Sequence, residues 1–209
     1  TMADFRKLRF RTPPGIPGQI YSAMGIAAVS MGGGEILPAI EKGLLDAAEW
    51  CCPKPDMIFG FHKAMKHYYM QGLHQNVANV DIYINGNTWK KLSERQQQAM
   101  LIAADASIAR ANSYRILENG RSLKELTEQH GVILHDTPAE YFSEFGEAAL
   151  KVFEGYAAKN AFFKEVWLSQ KAFADVAIPF WAQAQKSNAA VTEVYAQRLK
   201  GGARPAAKK

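Results

Sequence analysis

Arg11 is the residue whose type and position best suit the binding of a small anion. It belongs to an alternating stretch, KLRFRT (7–12), in which Lys7, Arg9 and Arg11 share one face. A proline–glycine loop follows directly, and ligands of open α/β sheets bind outside the carboxyl ends of strands. A guanidinium can hold a carboxylate through two parallel hydrogen bonds. The alternative is that the three basic residues form the solvated face of a strand.

Glu49 and Trp50 end a second predicted strand, LLDAAEW (44–50). In a parallel layer they would share the carboxyl edge with Arg11. Glu49 could then be the salt-bridge partner of Arg11, with Trp50 in the core. Alternatively, Glu49 could ligate a hard cation that bridges to an acidic ligand. The residue types leave both interpretations open.

The glycine run before this strand, SMGGGE (30–35), could in principle cradle a phosphate. It lacks the Lys-Ser/Thr pair of a P-loop and the GxGxxG spacing of a dinucleotide fold. Glu35 would also occupy the positive end of the following helix and repel a phosphate. We therefore interpret the run as a turn that delivers Glu49 and Trp50 to the sheet edge.

Histidine and cysteine spacings do not identify a metal centre or a nucleophile. His62, His67 and His74 lie five and seven residues apart, which does not place two ligands on one helical face. Cys51 and Cys52 are adjacent and cannot join distant segments. A ring between these neighbours is possible but strained, so we expect buried or partly buried thiols. No activating base for Cys51 can be identified. An enzyme that acts on a small acid, with Cys51 or a histidine as catalyst, remains an alternative.

Composition indicates an ordinary globular protein of 209 residues, with 48% hydrophobic and 22% charged residues. The formal net charge is +5, but 25 basic residues are interleaved with 20 acidic ones. No recognised nucleic-acid motif accompanies this charge, so we predict no nucleic-acid partner. The sequence shows neither a bilayer-length apolar run nor a signal peptide at its first residues.

The elements that position these residues alternate between strands and helices. Strand, helix, strand, helix, strand over the first fifty residues is typical of an α/β layer with parallel strands. Gly43 stands where a left-handed helix cap belongs. Ser93 is the predicted N-cap of a long helix that Gly131 ends, with a soft point near Asn119-Gly120. The predicted strands are 7–12, 27–31, 44–50, 77–89 and 132–138, and the predicted helices are 19–24, 35–42, 56–70, 92–131, 138–157, 161–186 and 187–199.

Four stretches occur in a familiar order: DFRKLRFRTP, GGGEILPAIEKGLLDAAEW, GFHKAMKHYYMQGLHQ and INGNTWKKLSERQQQAM. Together they resemble the DctP-like substrate-binding receptors of tripartite ATP-independent periplasmic (TRAP) transporters. The similarity is greatest to the branch that binds 2-oxo acids, lactate and related monocarboxylates. It runs from about Asp4 to about Trp181.

The resemblance implies a type II periplasmic-binding-protein clamshell, with a carboxylate held between two lobes and passed to a TRAP permease in the membrane. It implies a binding protein in the periplasm, not an enzyme. Arg11 corresponds to the arginine that holds the ligand carboxylate, and the substrate-binding set also includes Glu49, Trp50 and His74. Glu49, the Trp50 backbone and Gln75 would hold Na⁺ or Ca²⁺ bridging to the ligand; no organic cofactor is implied.

This sequence departs from the family pattern at three places. Leu73 replaces the usual aromatic residue, Gln75 replaces the usual acid, and Cys51-Cys52-Pro53 replaces a small, glycine-bearing stretch. Receptors of the family are also longer at the N-terminus, so we expect a truncated chain that contains mainly the second lobe, binds its ligand weakly and self-associates. A helical interaction module built on the long helix is a further alternative. The predicted domains are an α/β lobe with the crossing strand (1–91), a bridging helix (92–131), a C-terminal strand and helices (132–199) and a disordered basic tail (200–209).

Overall fold

A computed structural model describes residues 1–72 and 81–200 of the chain. The chain forms two compact units, of which the first is Thr1–Val152 and the second begins at Phe153. The elements are α1 Met2–Phe5, β1 Arg9–Thr12, α2 Ile16–Ala23, β2 Ala27–Ser30, α3 Gly33–Glu41, β3 Ala47–Ala48, α4 Pro53–Phe59, a 3-10 turn Phe61–Lys63, β4 His67–Tyr69, α5 Gly86–Trp89, α6 Glu94–Gln129, β5 Ile133–His135, α7 Ala139–Lys159 and α8 Ala161–Lys200.

The first unit is built around a three-stranded parallel sheet in the order β2-β1-β3. Arg11 pairs with Val29 of β2 on one side and with Ala48 of β3 on the other. The strands alternate with α2 and α3, so the predicted α/β layer with parallel strands is confirmed. Because the strands are parallel, the residues that follow Thr12, Ser30 and Ala48 lie at one edge.

An aromatic cluster packs against one face of β1. The ring centroids of Phe5 and Tyr21 both lie 4.9 Å from that of Phe10, in edge-to-face arrangements. Phe145 of α7 joins Tyr21 at 5.6 Å, and the hydroxyls of Tyr21 and Tyr141 lie 2.9 Å apart. Each such ring pair adds about 0.5–1.5 kcal/mol beyond its buried area. The cluster therefore fixes β1, and with it the orientation of Arg11 on the opposite face.

Helix α3 turns the chain from β2 back to β3. Ile36 and Ala39 are buried on one face of the helix, as its periodicity predicts. Gly43 has a φ of 67°, and the backbone N–H groups of Gly43 and Leu44 donate to the carbonyls of Ile40 and Ala39. The predicted left-handed cap is confirmed.

The prediction of one helix over 56–70 is wrong in its second half. Helix α4 ends at Phe59, and His67–Tyr69 form strand β4, which pairs in parallel with β5. A pairing partner more than sixty residues away cannot be read from local periodicity. The predicted strand 77–89 is also wrong in its described part, because 81–85 form no strand and the Asn85 side chain caps helix α5.

Helix α6 confirms most of the predicted helix 92–131. Ser93 is its N-cap, in a capping box with Gln96. At 1.5 Å per residue its 36 residues extend over about 54 Å. The predicted soft point is wrong, because the helix continues through Asn119-Gly120. Asn119 has another role, since its side-chain oxygen accepts the backbone N–H of Lys54 at 2.9 Å and so caps α4, whose own N-cap Cys52 supplies no side-chain hydrogen bond.

The second unit contains α8, a single helix of 40 residues. The predicted separation at 186/187 is wrong, since helix-favouring alanines flank that position and carry the helix onward. Asn160 caps its start by accepting the backbone N–H of Phe163 at 2.9 Å. The Phe153 ring packs on Trp167 at 5.0 Å. Within residues 1–72 and 81–200, no helix is long and apolar enough to cross a bilayer.

Candidate functional site

Arg11 is buried at the carboxyl edge of the sheet, with only 2% of its surface exposed. Its Nε and Nη2 donate to the carbonyl of Met31 at 3.1 and 2.9 Å. Its Nη1 donates to the backbone carbonyl of Glu49 and, at 3.3 Å, to the carboxylate of the same residue. Arg11 is therefore not part of a solvated strand face. Arg9 does fit that description, because it is exposed and forms an ion pair with Asp46 at 2.6 Å.

The burial of a charged guanidinium is offset by these contacts. Burial lowers the pKa of Arg11 and the neighbouring Glu49 carboxylate raises it, so desolvation is the larger of the two effects. Two backbone carbonyls and one carboxylate hold the planar group in a fixed orientation. The result is a rigid cation that lines the pocket described below.

Glu49 and Trp50 flank Arg11 on the β3 side. The Glu49 backbone N–H donates to the Arg11 carbonyl at 3.1 Å, which extends the strand pairing by one residue. The Trp50 ring lies 5.3 Å from the Arg11 guanidinium carbon. It also packs edge-to-face against Phe59 at 4.9 Å and Phe61 at 6.4 Å. The salt bridge that the sequence left open is present, and Trp50 forms an aromatic wall beside it.

The glycine run explains how Trp50 fits. A Cβ added to Gly33 would lie 2.2 Å from the Cη2 atom of Trp50, so only glycine permits this packing. Glu35 accepts the backbone N–H of Gly32 at 3.0 Å and thereby satisfies the start of α3. The run is a helix-starting turn under an indole ring, and its end is already capped by a carboxylate.

An open pocket of about 430 Å³ lies over this group. Its volume suits a small organic molecule, and its wall combines apolar rings with one cation and one carboxylate. The residues that line it are Arg11, Pro13, Glu49, Trp50, Cys51, Pro55 and Phe59.

Asp56 and Tyr68 support the pocket wall and were not identified from the sequence. Asp56 is 9% exposed and accepts the backbone N–H of Cys51 at 3.2 Å and the hydroxyl of Tyr68 at 2.7 Å. Burial raises the pKa of Asp56. An aspartate four residues after a cysteine is only a weak sequence signal for such a support. Its partner Tyr68 was placed in a predicted helix, whereas it lies in strand β4.

The pKa of Cys51 is not that of an activated nucleophile. Partial desolvation by the surrounding protein, followed by its hydrogen bond with Cys52, raises the pKa of the Cys51 thiol to about 12. Catalytic cysteines have lowered pKa values because a neighbouring cation or helix N-terminus stabilises the thiolate. The raised pKa does not favour the alternative of an enzyme that uses Cys51 as its nucleophile.

Two of the predicted binding residues, His74 and Gln75, lie outside the described residues. Within 1–72 and 81–200, no group of three or more His, Cys, Asp or Glu residues could hold a metal ion. His67 lies in β4, where its Nδ1 is 2.9 Å from the Nε2 of His135 in β5. The structure therefore brings together Arg11, Glu49 and Trp50, and among these three residues Glu49 carries the carboxylate.

Comparison with known proteins identifies relatives of this chain. The sequence profile of bacterial extracellular solute-binding protein, family 7 (DctP), matches residues 1–160. A monocarboxylate 2-oxoacid-binding periplasmic protein of Nostoc sp. is 33% identical over 174 residues, which are 83% of this chain and 47% of that protein. The chain thus spans about half the length of that relative.

Solved structures show the same fold. A TRAP transporter solute-binding protein of Bordetella bronchiseptica, with copurified calcium and picolinate, gives a TM-score of 0.82 at 26% identity, over 95% of this chain and 59% of that one. A TRAP periplasmic solute-binding protein of Colwellia psychrerythraea, with bound calcium and pyruvate, gives a TM-score of 0.70 at 22% identity, over 88% of this chain and 58% of that one. The fold is that of part of a type II periplasmic binding protein. The chain belongs to the DctP family of extracellular solute-binding proteins.

Proposed function

We propose that this chain contains the carboxylate-binding part of a periplasmic receptor that delivers a small organic acid to a TRAP permease. A 2-oxo acid, lactate or a similar monocarboxylate is the proposed ligand. The observation that carries the proposal is the buried Arg11 guanidinium in the wall of the pocket. The receptor is a binding protein rather than an enzyme, which the raised pKa of the Cys51 thiol supports.

The ligand carboxylate would bind beside Arg11 by taking over the hydrogen bond that Nη1 now makes to the Glu49 carboxylate. That exchange is favourable only if the new bonds are at least as strong as the 3.3 Å contact to the Glu49 carboxylate. Shorter charge-assisted bonds, worth about 1.5–3 kcal/mol each, meet this condition. The Trp50 and Phe59 rings would cover the apolar part of a short-chain acid. The binding of 2-oxo acids by the Nostoc relative supports this choice of ligand class.

A bound cation would resolve the repulsion between Glu49 and an anionic ligand. We propose Na⁺ or Ca²⁺, held by the Glu49 carboxylate, the Trp50 backbone carbonyl and the Gln75 side chain. Hard oxygen donors of this kind fit both ions. The bound ion would supply positive charge that bridges the two anions. Relatives with calcium and picolinate or calcium and pyruvate support this assignment.

The test is isothermal titration with pyruvate, lactate and longer oxo acids, with Ca²⁺ and with EDTA. It is carried out on the 209-residue chain and on the full reading frame that encodes it. Because the chain spans about half of its relatives, we expect micromolar binding by the full product and much weaker binding by the 209 residues alone.

Arg11→Ala should reduce the affinity of the full product by about 30- to 4,000-fold, since truncating one partner of a buried, hydrogen-bonded charge pair costs roughly 2–5 kcal/mol. Arg11→Lys preserves the charge and separates loss of the guanidinium hydrogen bond to the ligand from loss of folding. Arg9→Ala is the matched control, because Arg9 lies two residues away, exposed and bound to Asp46. The proposal would be refuted if Arg11→Lys and Arg11→Ala both folded and both bound the carboxylate with unchanged affinity.

We further propose that the 209-residue chain self-associates through apolar side chains of α6. Leu101, Ile102, Ile108, Ile116 and Leu117 are each more than half exposed. Exposed apolar side chains on one helix favour association with a second copy. Light scattering should show a mass that rises with concentration, and a monomer at high concentration would contradict the idea.

A further inference from the structure

The thiols of Cys51 and Cys52 lie in contact at the rim of the pocket. Their Sγ atoms are 2.8 Å apart, and both residues are free cysteines. Side chains of neighbouring residues in extended backbone point to opposite sides. Cys52 is extended, with φ −168° and ψ 165°, yet the two sulfurs face each other. A disulfide requires a separation of about 2.05 Å, so less than ~1 Å of further approach is needed.

The backbone around the pair is held by one buried residue. The Asp56 carboxylate accepts the Cys51 N–H at 3.2 Å, and the Asp56 N–H donates to the Cys52 carbonyl at 3.0 Å. Pro53, which follows directly, is buried and begins helix α4. The two cysteines therefore have little backbone freedom, and their side chains are presented to each other by the fold.

We propose that Cys51 and Cys52 are a modification site that forms a reversible vicinal disulfide at the rim of the carboxylate pocket. This rests on the proposed function for its compartment, because the periplasm is oxidising and disulfides persist there. The oxidant is a small-molecule or protein disulfide. One thiolate attacks it and releases one thiol, giving a mixed disulfide. The second thiolate then displaces the remaining thiol, so one disulfide is consumed, one is formed and two thiols are released.

The ring closed by this bond is reversible for a geometric reason. Adjacent Cα atoms are about 3.8 Å apart across a trans peptide, whereas disulfide-bonded residues usually have Cα atoms about 4.4–6.8 Å apart. Strained and exposed disulfides are reduced more readily than structural ones. Cys51 is exposed and lines the pocket, so each redox state presents a different rim to the ligand.

The test is thiol counting on the 209-residue chain. Samples are equilibrated in buffers from fully reduced to fully oxidised glutathione, acid-quenched, alkylated with N-ethylmaleimide and weighed by mass spectrometry. We expect two alkylated thiols in the reduced limit and none in the oxidised limit. The oxidised chain should weigh two hydrogens less than the unalkylated reduced chain and should run as a monomer on a non-reducing gel. Cys52→Ser should instead give a glutathione adduct on Cys51.

Two alkylated thiols at every glutathione ratio would overturn the proposal, as would stable double glutathione adducts or disulfide-linked dimers. Pyruvate titration of the full product separates the two proposals. If the disulfide forms but no carboxylate binds, the disulfide proposal holds and the receptor proposal is refuted. If a carboxylate binds but the disulfide never forms, the receptor proposal holds and the disulfide proposal is refuted.

Discussion

Substitution of Gly33 by alanine tests whether the glycine run exists to seat the indole of Trp50. The added Cβ would lie 2.2, 2.4 and 3.1 Å from three carbon atoms of that ring. Ordinary van der Waals contact begins near 3.4 Å, so the ring must move by at least ~1.2 Å. Phe59 and Phe61 pack edge-to-face against the same indole and oppose the movement. Overpacking of this kind costs about 1–3 kcal/mol.

Gly34→Ala is the matched control. Gly34 is the next residue of the same helix turn, and an added Cβ there meets no atom within 4 Å. Neither glycine has a positive φ, so alanine introduces no backbone strain at either position. Alanine is favoured over glycine in helices by up to ~1 kcal/mol. We therefore expect Gly34→Ala to be neutral or stabilising, and Gly33→Ala to be less stable than Gly34→Ala by about 1–3 kcal/mol.

Urea unfolding followed by circular dichroism measures this difference. A second background makes the reasoning stricter, because Trp50→Leu removes the ring that the methyl group would meet. Gly33→Ala should then cost less than ~0.5 kcal/mol in the Trp50→Leu background. Equal stability of the two alanine variants, or the same cost with and without the indole, would refute the steric argument.

Two further predictions concern the supports of the pocket wall. Asn119→Ala removes the side-chain cap from α4 and should therefore destabilise the chain by about 0.5–2 kcal/mol. Asn112 lies on the exposed surface of α6, so Asn112→Ala should be neutral or stabilising in the same urea titration. Asp56 has its pKa raised by burial above the usual 3.8, so the folded state binds its proton more tightly than the unfolded state. As pH rises from about 4 through the raised pKa, the wild type should therefore lose stability relative to Asp56→Asn; a pH-independent difference between the two unfolding free energies would contradict this.

The part of the fold that local patterns predict is the part made by neighbouring segments. Phe10 and Arg11 alternate in β1, the buried side chains of α3 follow a helical period, and Gly43 supplies the left-handed cap. These signals depend on a few adjacent residues and on the covalent preferences of glycine. The order of strands and helices through β3 follows from them.

Nonlocal contacts account for most errors. Strand β4 exists because β5 pairs with it, and Tyr68 faces inward because Asp56 is buried beside it. Arg11 resembles Arg9 in the sequence, and only the carbonyls of Met31 and Glu49, brought in by other strands, distinguish the buried residue from the exposed one. The packing of Trp50 on Gly33 likewise joins residues whose proximity depends on the complete βαβ path.

The β4–β5 pair carries a consequence for the order in which the molecule assembles. Its paired residues lie 66 positions apart along the chain, as in Tyr69 with His135, against 18 for Arg9 with Ala27 in β1–β2. The entropy of closing the larger loop is greater by about 1.1 kcal/mol on a chain-length estimate. Three-residue strands offer few backbone hydrogen bonds in return. Amide protons of β4 and β5 should thus exchange with solvent earlier than those of β1. The two-stranded β4–β5 sheet should be the last sheet to form during refolding and the first to open.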